Sequence, residues 1–231
     1  MSKLRLKFFK KEDMIYISHL DMMRVIQRAM KRAGMKVEYS QGFNPHPLMS
    51  FSTAVPLGLT IESEYMDIDM KDELTAQNYI DRINPYLPEG LRFIAGEIID
   101  EKEKPIMGQI RWGSYLICIK EKIERPMMDV INDFMKREDI SYTKVKKKKK
   151  KIVKREINIR PYIENIELVV EDSEFVVLKT LVRTGSEGNL KPDKMVELMN
   201  EVENLELDLI SIEYQRLELF IEKDDKRVKP I

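Results

Sequence analysis

The 231-residue sequence predicts an α+β protein built from two ferredoxin-like modules in tandem. Three observations predict this fold class. Some segments alternate apolar and polar residues, as half-buried strands do, and others space apolar residues three and four apart, as helices do. These segments follow a β-α-β-β-α-β order, once before a charged stretch near residue 104 and again after it. We therefore expect an N-terminal domain at 1–104 and a C-terminal domain at 105–231.

The first module is predicted element by element. Leu4, Leu6 and Phe8 alternate with lysine and arginine, which indicates a half-buried strand. Ser18 then caps an amphipathic helix that ends at Gly34, because serine favours the helix start and glycine the helix end. The remaining predicted elements are strands at 35–39, 49–54 and 64–70, a helix at 74–87 and a strand at 91–99.

The second module follows a charged linker predicted at 100–108, which contains Pro105 and Gly108. Its pattern resumes with a strand and then a helix that has Pro126 in its first turn. The predicted elements are a strand at 112–119, a helix at 126–137, extended segments at 141–153 and 157–170, a strand at 175–182, a helix at 191–204 and a strand at 207–221.

Composition excludes several classes of protein. Cys118 is the single cysteine, so the chain cannot form an internal disulfide or supply the cysteines of an iron–sulfur cluster. We therefore expect no cofactor.

No stretch approaches the roughly 18 apolar residues of a membrane-spanning helix, and the N-terminus is charged where a signal peptide is apolar. These features predict a cytoplasmic protein.

Charge is balanced overall but concentrated locally. The chain has 40 basic and 40 acidic residues, yet nine of the twelve residues at 144–155 are lysine or arginine. The rest of the chain is therefore acidic on balance. A cationic strip of this kind binds phosphate backbones through counterion release, which favours RNA as the partner. The alternatives are a solvated hairpin tip or a lysine-rich edge strand that blocks aggregation.

Both histidines lie in dense motifs. His19 belongs to SHLDMMR (18–24) and His46 to YSQGFNPHPLMSF (39–51). If the two loops converge at one edge of the sheet, His19, His46 and Asp21 become candidate catalytic residues for acid–base chemistry. The alternative is that Ser18 and Asp21 are ordinary helix-start residues and that the prolines beside His46 shape a rigid loop. We predict no metal site, because these residue types alone are weak evidence for one.

The same region offers groups that suit RNA. Aromatic rings stack on unpaired bases, and amides read base edges. Phe51 alternates with serines and is predicted to lie in the core instead. The candidate RNA-binding residues are Arg24, Arg28, Gln41, Phe43, Asn44, Lys146, Lys147, Lys148, Lys149, Lys150, Lys151, Lys154, Arg155 and Arg160.

The run from Ser18 to Met70 resembles the radical-SAM-associated protein family, a bacterial family of unknown function. SHLDMMRVIQRAMKRAGMKVEYSQGFNPHPLMSFSTAVPLG carries most of this resemblance, and GNLKPDKMVELM (188–199) is a weaker second landmark. Leu48 stands where a basic residue is expected. The resemblance implies partnership with a radical SAM enzyme and not possession of its chemistry, because the chain lacks the CxxxCxxC motif that holds the cluster.

Three functions remain open from the sequence. The first is a non-catalytic accessory protein that works with a radical SAM enzyme and binds RNA or a ribonucleoprotein substrate such as a ribosomal particle. The second is a histidine-dependent RNA-processing enzyme of ferredoxin-like fold, which rests on analogy of fold. The third is a purely protein-binding subunit, in which the motifs form an interface.

Overall fold

The computed structural model describes residues 2–148 and 151–231, and in these ranges the chain forms two compact units. Unit 1 comprises residues 1–112 together with 215–231, and unit 2 comprises residues 113–214. The division into domains at 1–104 and 105–231 stays a prediction. The units differ from it because the C-terminal segment belongs to unit 1, so that this unit is discontinuous in sequence.

Unit 1 is a sheet with two principal helices. Its elements are β1 (Ser2–Lys10), a 3₁₀ turn (Glu12–Tyr16), α1 (His19–Arg32), β2 (Met49–Phe51), β3 (Thr60–Met70), α2 (Ala76–Ile83), a 3₁₀ turn (Asn84–Tyr86), β4 (Leu91–Ile99), α3 (Ile106–Gln109), the start of β5 (Ile110–Ile119), most of β10 (Glu213–Lys223) and β11 (Lys226–Val228). Thus β5 and β10 are the strands through which the chain passes between units.

Strand pairing in unit 1 follows the order β4-β1-β3-β10. Strands β4 and β3 flank β1, and both run antiparallel to it. The short strand β2 is also antiparallel to β3, whereas β10 is parallel to β3 and pairs Gln215 with Thr60. The alternation in β1 works as predicted, because Leu4, Leu6 and Phe8 are fully buried. The Phe8 ring packs against Phe51, with centroids 6.1 Å apart.

Unit 2 contains the rest of the chain. Its elements are the end of β5, α4 (Met127–Lys136), β6 (Ser141–Lys148), β7 (Lys151–Asn158), a 3₁₀ turn (Arg160–Tyr162), β8 (Ile163–Glu171), β9 (Val176–Arg183), α5 (Pro192–Glu203) and the start of β10. Strands β5, β9 and β8 are neighbours in that order, and β6 and β7 form a separate two-stranded hairpin. The carboxylate of Glu203 is buried and ion-paired with Arg125 and Arg137.

The predicted α+β class agrees with this mixed architecture, while the ferredoxin-like nature of each unit stays a prediction. Three segments differ from expectation. The strand predicted at 207–221 begins only at Glu213, because the Ser211 N–H closes a turn on the Asp208 carbonyl just before it. The predicted strand at 35–39 forms only isolated bridges, from Val37 to Met70 and from Tyr39 to Pro47. The predicted linker at 100–108 includes the start of α3, because the buried Ile106 anchors the chain there. Within the two described ranges, no helix is both long and apolar enough to cross a membrane.

Candidate nucleic-acid interface

His19 is the first residue of α1 and is held from two sides. Ser18 caps the helix by accepting a hydrogen bond from the Asp21 backbone N–H. The Nδ1 atom of His19 accepts from the Val55 N–H at 3.5 Å, and its ring meets the Phe51 ring edge-on at 5.1 Å. Burial lowers the pKa of His19, and the charge of Lys10 lowers this pKa further. The imidazole is therefore biased towards its neutral form.

Lys10 fastens the loops beside His19. Its side chain is fully buried, and its Nζ atom donates to the carbonyls of Ile15 and Ile17 at 3.2 Å each and of Pro56 at 3.5 Å. Burial, assisted by the charge of Arg216, lowers the pKa of Lys10 to about 8. One buried ammonium group thus joins the segment before α1 to the loop after β2.

A buried ion pair joins strands β10 and β3 of unit 1. Arg216 on β10 pairs with Glu64 on β3 and also donates to the Thr53 hydroxyl at 2.8 Å. Ser52 donates a hydrogen bond to Glu64 as well. Burial raises the pKa of Glu64, and Arg216 opposes this rise. The sequence patterns predicted neither this ion pair nor the burial of Lys10. The position of Lys10 was a usable signal, because it continues the alternation of buried positions along β1.

His46 closes its own loop. Its Nδ1 atom lies 3.0 Å from the Ser40 hydroxyl, which also accepts from the His46 N–H at 3.1 Å. The Ser40 N–H completes the closure by donating to the His46 carbonyl at 2.9 Å. No hydrogen bond or ring contact joins His46 to His19 in the described chain. Each histidine thus has its own hydrogen-bond partner, and the catalytic role of His19, His46 and Asp21 stays a prediction.

Asp21 is occupied at the helix start. Its carboxylate accepts from the Ser18 hydroxyl at 2.7 Å and from Arg24 at 2.9 Å. The hydrogen bond from Ser18, and then that from Arg24, lowers the pKa of Asp21. This agrees with the alternative interpretation, in which Asp21 stabilises the first turn of α1. On the exposed side of the helix, Arg28 forms no hydrogen bond or ion pair with any side chain that the structure describes.

The loop at 40–46 exposes aromatic and amide side chains. Phe43 is completely exposed, and Asn44 and Gln41 are exposed as well. Gln41 lines an open cleft of about 580 Å³. The other lining residues are Ser2, Lys3, Glu38, Tyr39, Ser40, Leu48, Asp69 and Glu101.

This cleft is acidic. Burial raises the pKa of Asp69, the charge of Lys3 opposes this rise, and the nearby charges of Asp67, Glu101 and Glu38 add to it. Because carboxylates repel phosphate, an RNA backbone is disfavoured on the cleft side of the loop. Phe43 and Asn44 remain the better-placed RNA candidates of this motif. Their contact with RNA stays a prediction, as does that of Gln41.

The hairpin of β6 and β7 carries the cationic strip. Lys144, Lys154 and Arg155 are exposed and form no ion pair with any side chain that the structure describes. Lys144 pairs directly with Arg155 across the two strands, and Val145 pairs with Lys154. The backbones of Lys146, Lys147, Lys148 and Lys151 continue these strands, whereas Lys149 and Lys150 lie outside the described residues.

Arg160 follows the hairpin in sequence and hydrogen-bonds to the backbone of unit 2. Its guanidinium donates to the carbonyls of Met135 at 3.1 Å and of Ile163 at 3.2 Å. Its side chain is half-buried, so Arg160 is less available to RNA than Arg155. In the described ranges, no group of three or more histidine, cysteine, aspartate or glutamate side chains is placed to hold a metal ion.

Comparisons with known proteins match the sequence to one family and the fold to solved structures of low sequence identity. Residues 3–192 match the family described as "uncharacterized protein conserved in bacteria" (DUF2344). No curated protein matches the sequence. A chain in the crystal structure of a Cbf5–Nop10–Gar1 complex superposes with a TM-score of 0.51 at 8% identity, covering 94% of this chain and 48% of that one.

A chain of the archaeal box H/ACA sRNP Nop10–Cbf5 complex gives a TM-score of 0.45 at 9% identity, covering 93% of this chain and 46% of that one. This chain therefore spans about half the length of the solved chains that it matches. At such low identity, the likeness to the Cbf5–Nop10–Gar1 chain shows a shared fold and no shared activity.

Proposed function

The chain belongs to the DUF2344 family, and we propose that it acts as a non-catalytic accessory protein that binds RNA and works in the cytoplasm with a radical SAM enzyme. The proposal gives the hairpin of β6 and β7 the task of holding the phosphate backbone. It gives the surface around α1 and the loop at 40–46 the task of contacting a nucleotide or the partner enzyme. No bound cofactor is part of this proposal.

The observation that carries the RNA-binding part is the unbalanced charge of the hairpin. Lys144 and Arg155 stand directly opposite each other, and both are exposed. Like charges in this arrangement destabilise a strand pair. A bound polyanion would relieve the repulsion and release counterions at the same time. The exposed Arg28 of α1 extends the same chemistry to unit 1.

The radical SAM partnership has a different support. It rests on the resemblance of the run from Ser18 to Met70 to radical-SAM-associated proteins, and the family's description names no partner. Cross-linking in cells that express the tagged chain would test it. We expect enrichment of a protein that contains a CxxxCxxC motif. Absence of every such protein from the cross-linked fraction would contradict the partnership.

The finer fold assignment is also a proposal. We propose that unit 1 is a ferredoxin-like module, because its elements follow the order β1-α1-β2-β3-α2-β4 and its strands pair in the order β4-β1-β3-β2. In unit 2 the run β5-α4-β8-β9-α5 follows the same plan, with the hairpin inserted after α4. An experimental structure with β2 beside β1 would refute the assignment for unit 1.

RNA binding is best tested by titration over a range of salt concentrations. The first variant replaces Lys144, Lys154 and Arg155 by Gln, and a second replaces the six lysines at 146–151. A matched control replaces Lys120, Lys136 and Lys179 by Gln, which removes the same charge as the first variant from three lysines of unit 2 that are ion-paired with carboxylates. All proteins would be compared on one RNA preparation by fluorescence anisotropy.

We expect tight binding by the wild type, with affinity that falls steeply as salt rises. In the first variant the slope of log affinity against log salt should flatten by about three, because each phosphate contact contributes about one. The matched control should keep the wild-type slope. Equal slopes for the wild type and both hairpin variants, or no binding by the wild type at low salt, would refute RNA binding by the hairpin.

A further inference from the structure

The hairpin of β6 and β7 is an isolated ribbon. Its strands have eight residues each and belong to a two-stranded sheet of their own. At about 3.4 Å per residue, the ribbon is about 27 Å long. Its base is fixed by the Ile159 N–H, which donates to the Ile140 carbonyl at 2.9 Å, and by Asn158, which accepts from the Ile140 N–H at 3.1 Å.

The ribbon places cations on both of its faces. Residues that pair directly across two strands share a face, and successive residues along a strand lie on opposite faces. Lys144 and Arg155 therefore share one face, and Lys154 with Val145 shares the other. All four side chains are exposed. A ribbon that lay flat on a polyanion would need cations on one face only.

The ribbon has no platform for unpaired bases. Proteins that bind single strands combine a basic groove with aromatic rings on which the bases stack. The sequence contains no aromatic residue between positions 143 and 158. The only ring in the two strands is Tyr142, at the base, which is already covered by the Lys194 ammonium at 4.6 Å. The ribbon is therefore suited to phosphates and not to bases.

We propose that the hairpin binds double-stranded RNA along the mouth of the major groove, with the cations of its two faces directed at the two phosphate rows that border it. This inference rests on the proposed RNA-binding function and specifies its substrate as a duplex. The major groove of A-form RNA is deep and narrow and is bordered by both phosphate rows. A slender ribbon that is cationic on both faces can contact both phosphate rows without reaching the bases inside the groove.

Two adjacent residues provide the test. Lys154→Gln removes a cation from one face, and Arg155→Gln removes one from the opposite face. The measurement is affinity against salt for an RNA duplex and for a single strand of the same length. Each variant should flatten the slope for the duplex by about one, and the double variant by about two. Between about 50 and 200 mM salt, each lost contact corresponds to a roughly threefold smaller fall in affinity.

The outcomes separate the two proposals. No binding to either RNA would refute the proposed function itself. Binding to the single strand as tight as to the duplex, or a slope that changes in only one of the two variants, would overturn contact with both phosphate rows of a duplex while RNA binding stands. Tighter binding to a DNA duplex would overturn the A-form preference. Unchanged affinity with increased aggregation in the variants would overturn both proposals and assign the lysines to edge protection.

Discussion

Replacing Lys10 by Met should remove a pH dependence of stability that the wild type possesses. In the folded chain the pKa of Lys10 is lowered to about 8 by burial and by Arg216, from an ordinary value of 10.5. Between these two pH values, the unfolded chain holds the Lys10 proton while the folded chain has released most of it. Stability rises with pH wherever the unfolded state binds more protons. The wild type should therefore gain stability in this window.

The size of the gain follows from the two pKa values. One pH unit at full slope corresponds to about 1.4 kcal/mol in the free energy of unfolding. The slope is half of this near pH 8, where Lys10 of the folded chain is half-protonated. From pH 8 to about pH 9.5 the integrated gain is about 1.5 kcal/mol. Below pH 7 both states hold the proton, and Lys10 contributes no slope.

Urea unfolding at several pH values between 7 and 9.5 measures this gain. The upper limit matters because burial raises the pKa of Tyr65 and of Tyr79, so their ionisation in the unfolded chain lowers stability above about pH 10. The matched control is Lys11→Met, which removes the next lysine, a partly exposed residue paired with Glu62. The gain should persist in this control.

The test compares the free energy of unfolding of the wild type with that of Lys10→Met at each pH. We expect a constant difference below pH 7, which reflects the lost hydrogen bonds of the ammonium group, and a further rise of about 2 kcal/mol in favour of the wild type between pH 7 and pH 9.5. If the two curves run parallel from pH 7 to 9.5, the Lys10 proton is not released in the folded state, and the reasoning from burial is refuted.

Four further substitutions test the fold around the site. Glu64→Gln should lower the free energy of unfolding by about 3–5 kcal/mol in urea, because it removes the carboxylate that neutralises the buried Arg216; a loss below about 1 kcal/mol would contradict this. Ser18→Ala should lower it by about 1 kcal/mol, seen as a reduced Tm; an unchanged Tm would contradict the capping role of Ser18. Phe51→Ala should cost about 3–5 kcal/mol, whereas Phe43→Ala should stay within about 0.5 kcal/mol; equal costs would contradict their assigned burial.

The local patterns of the sequence determined several elements correctly. The alternation of Leu4, Leu6 and Phe8 placed β1, because side chains of a strand point alternately to two faces. Ser18 gave the start of α1, and Gly34 follows its end in a left-handed conformation at φ 63°. Phe51 was placed in the core by its serine neighbours. These signals depend on a few neighbouring residues and can therefore be recognised without knowledge of the fold.

The sequence also determined which surface is cationic, because the number of charges at 144–155 does not depend on folding. Their arrangement does depend on it. The pairing of Lys144 with Arg155 and of Val145 with Lys154 is fixed by the hairpin register, which decides the face on which each cation lies. The exposure of Phe43 and the acidic cleft beside Gln41 likewise required the positions of distant residues.

Only the tertiary structure decided the buried polar cluster and the hydrogen-bond partners of the two histidines. Arg216 and Glu64 are 152 positions apart in sequence, and they meet because the C-terminal strand β10 returns to pair with β3. Lys10 continues the alternation of β1, but only the fold brings the carbonyls of Ile15 and Pro56 to its ammonium group. Local periodicity shows which face of a segment is apolar, whereas burial of a charge depends on which distant segments supply its hydrogen bonds.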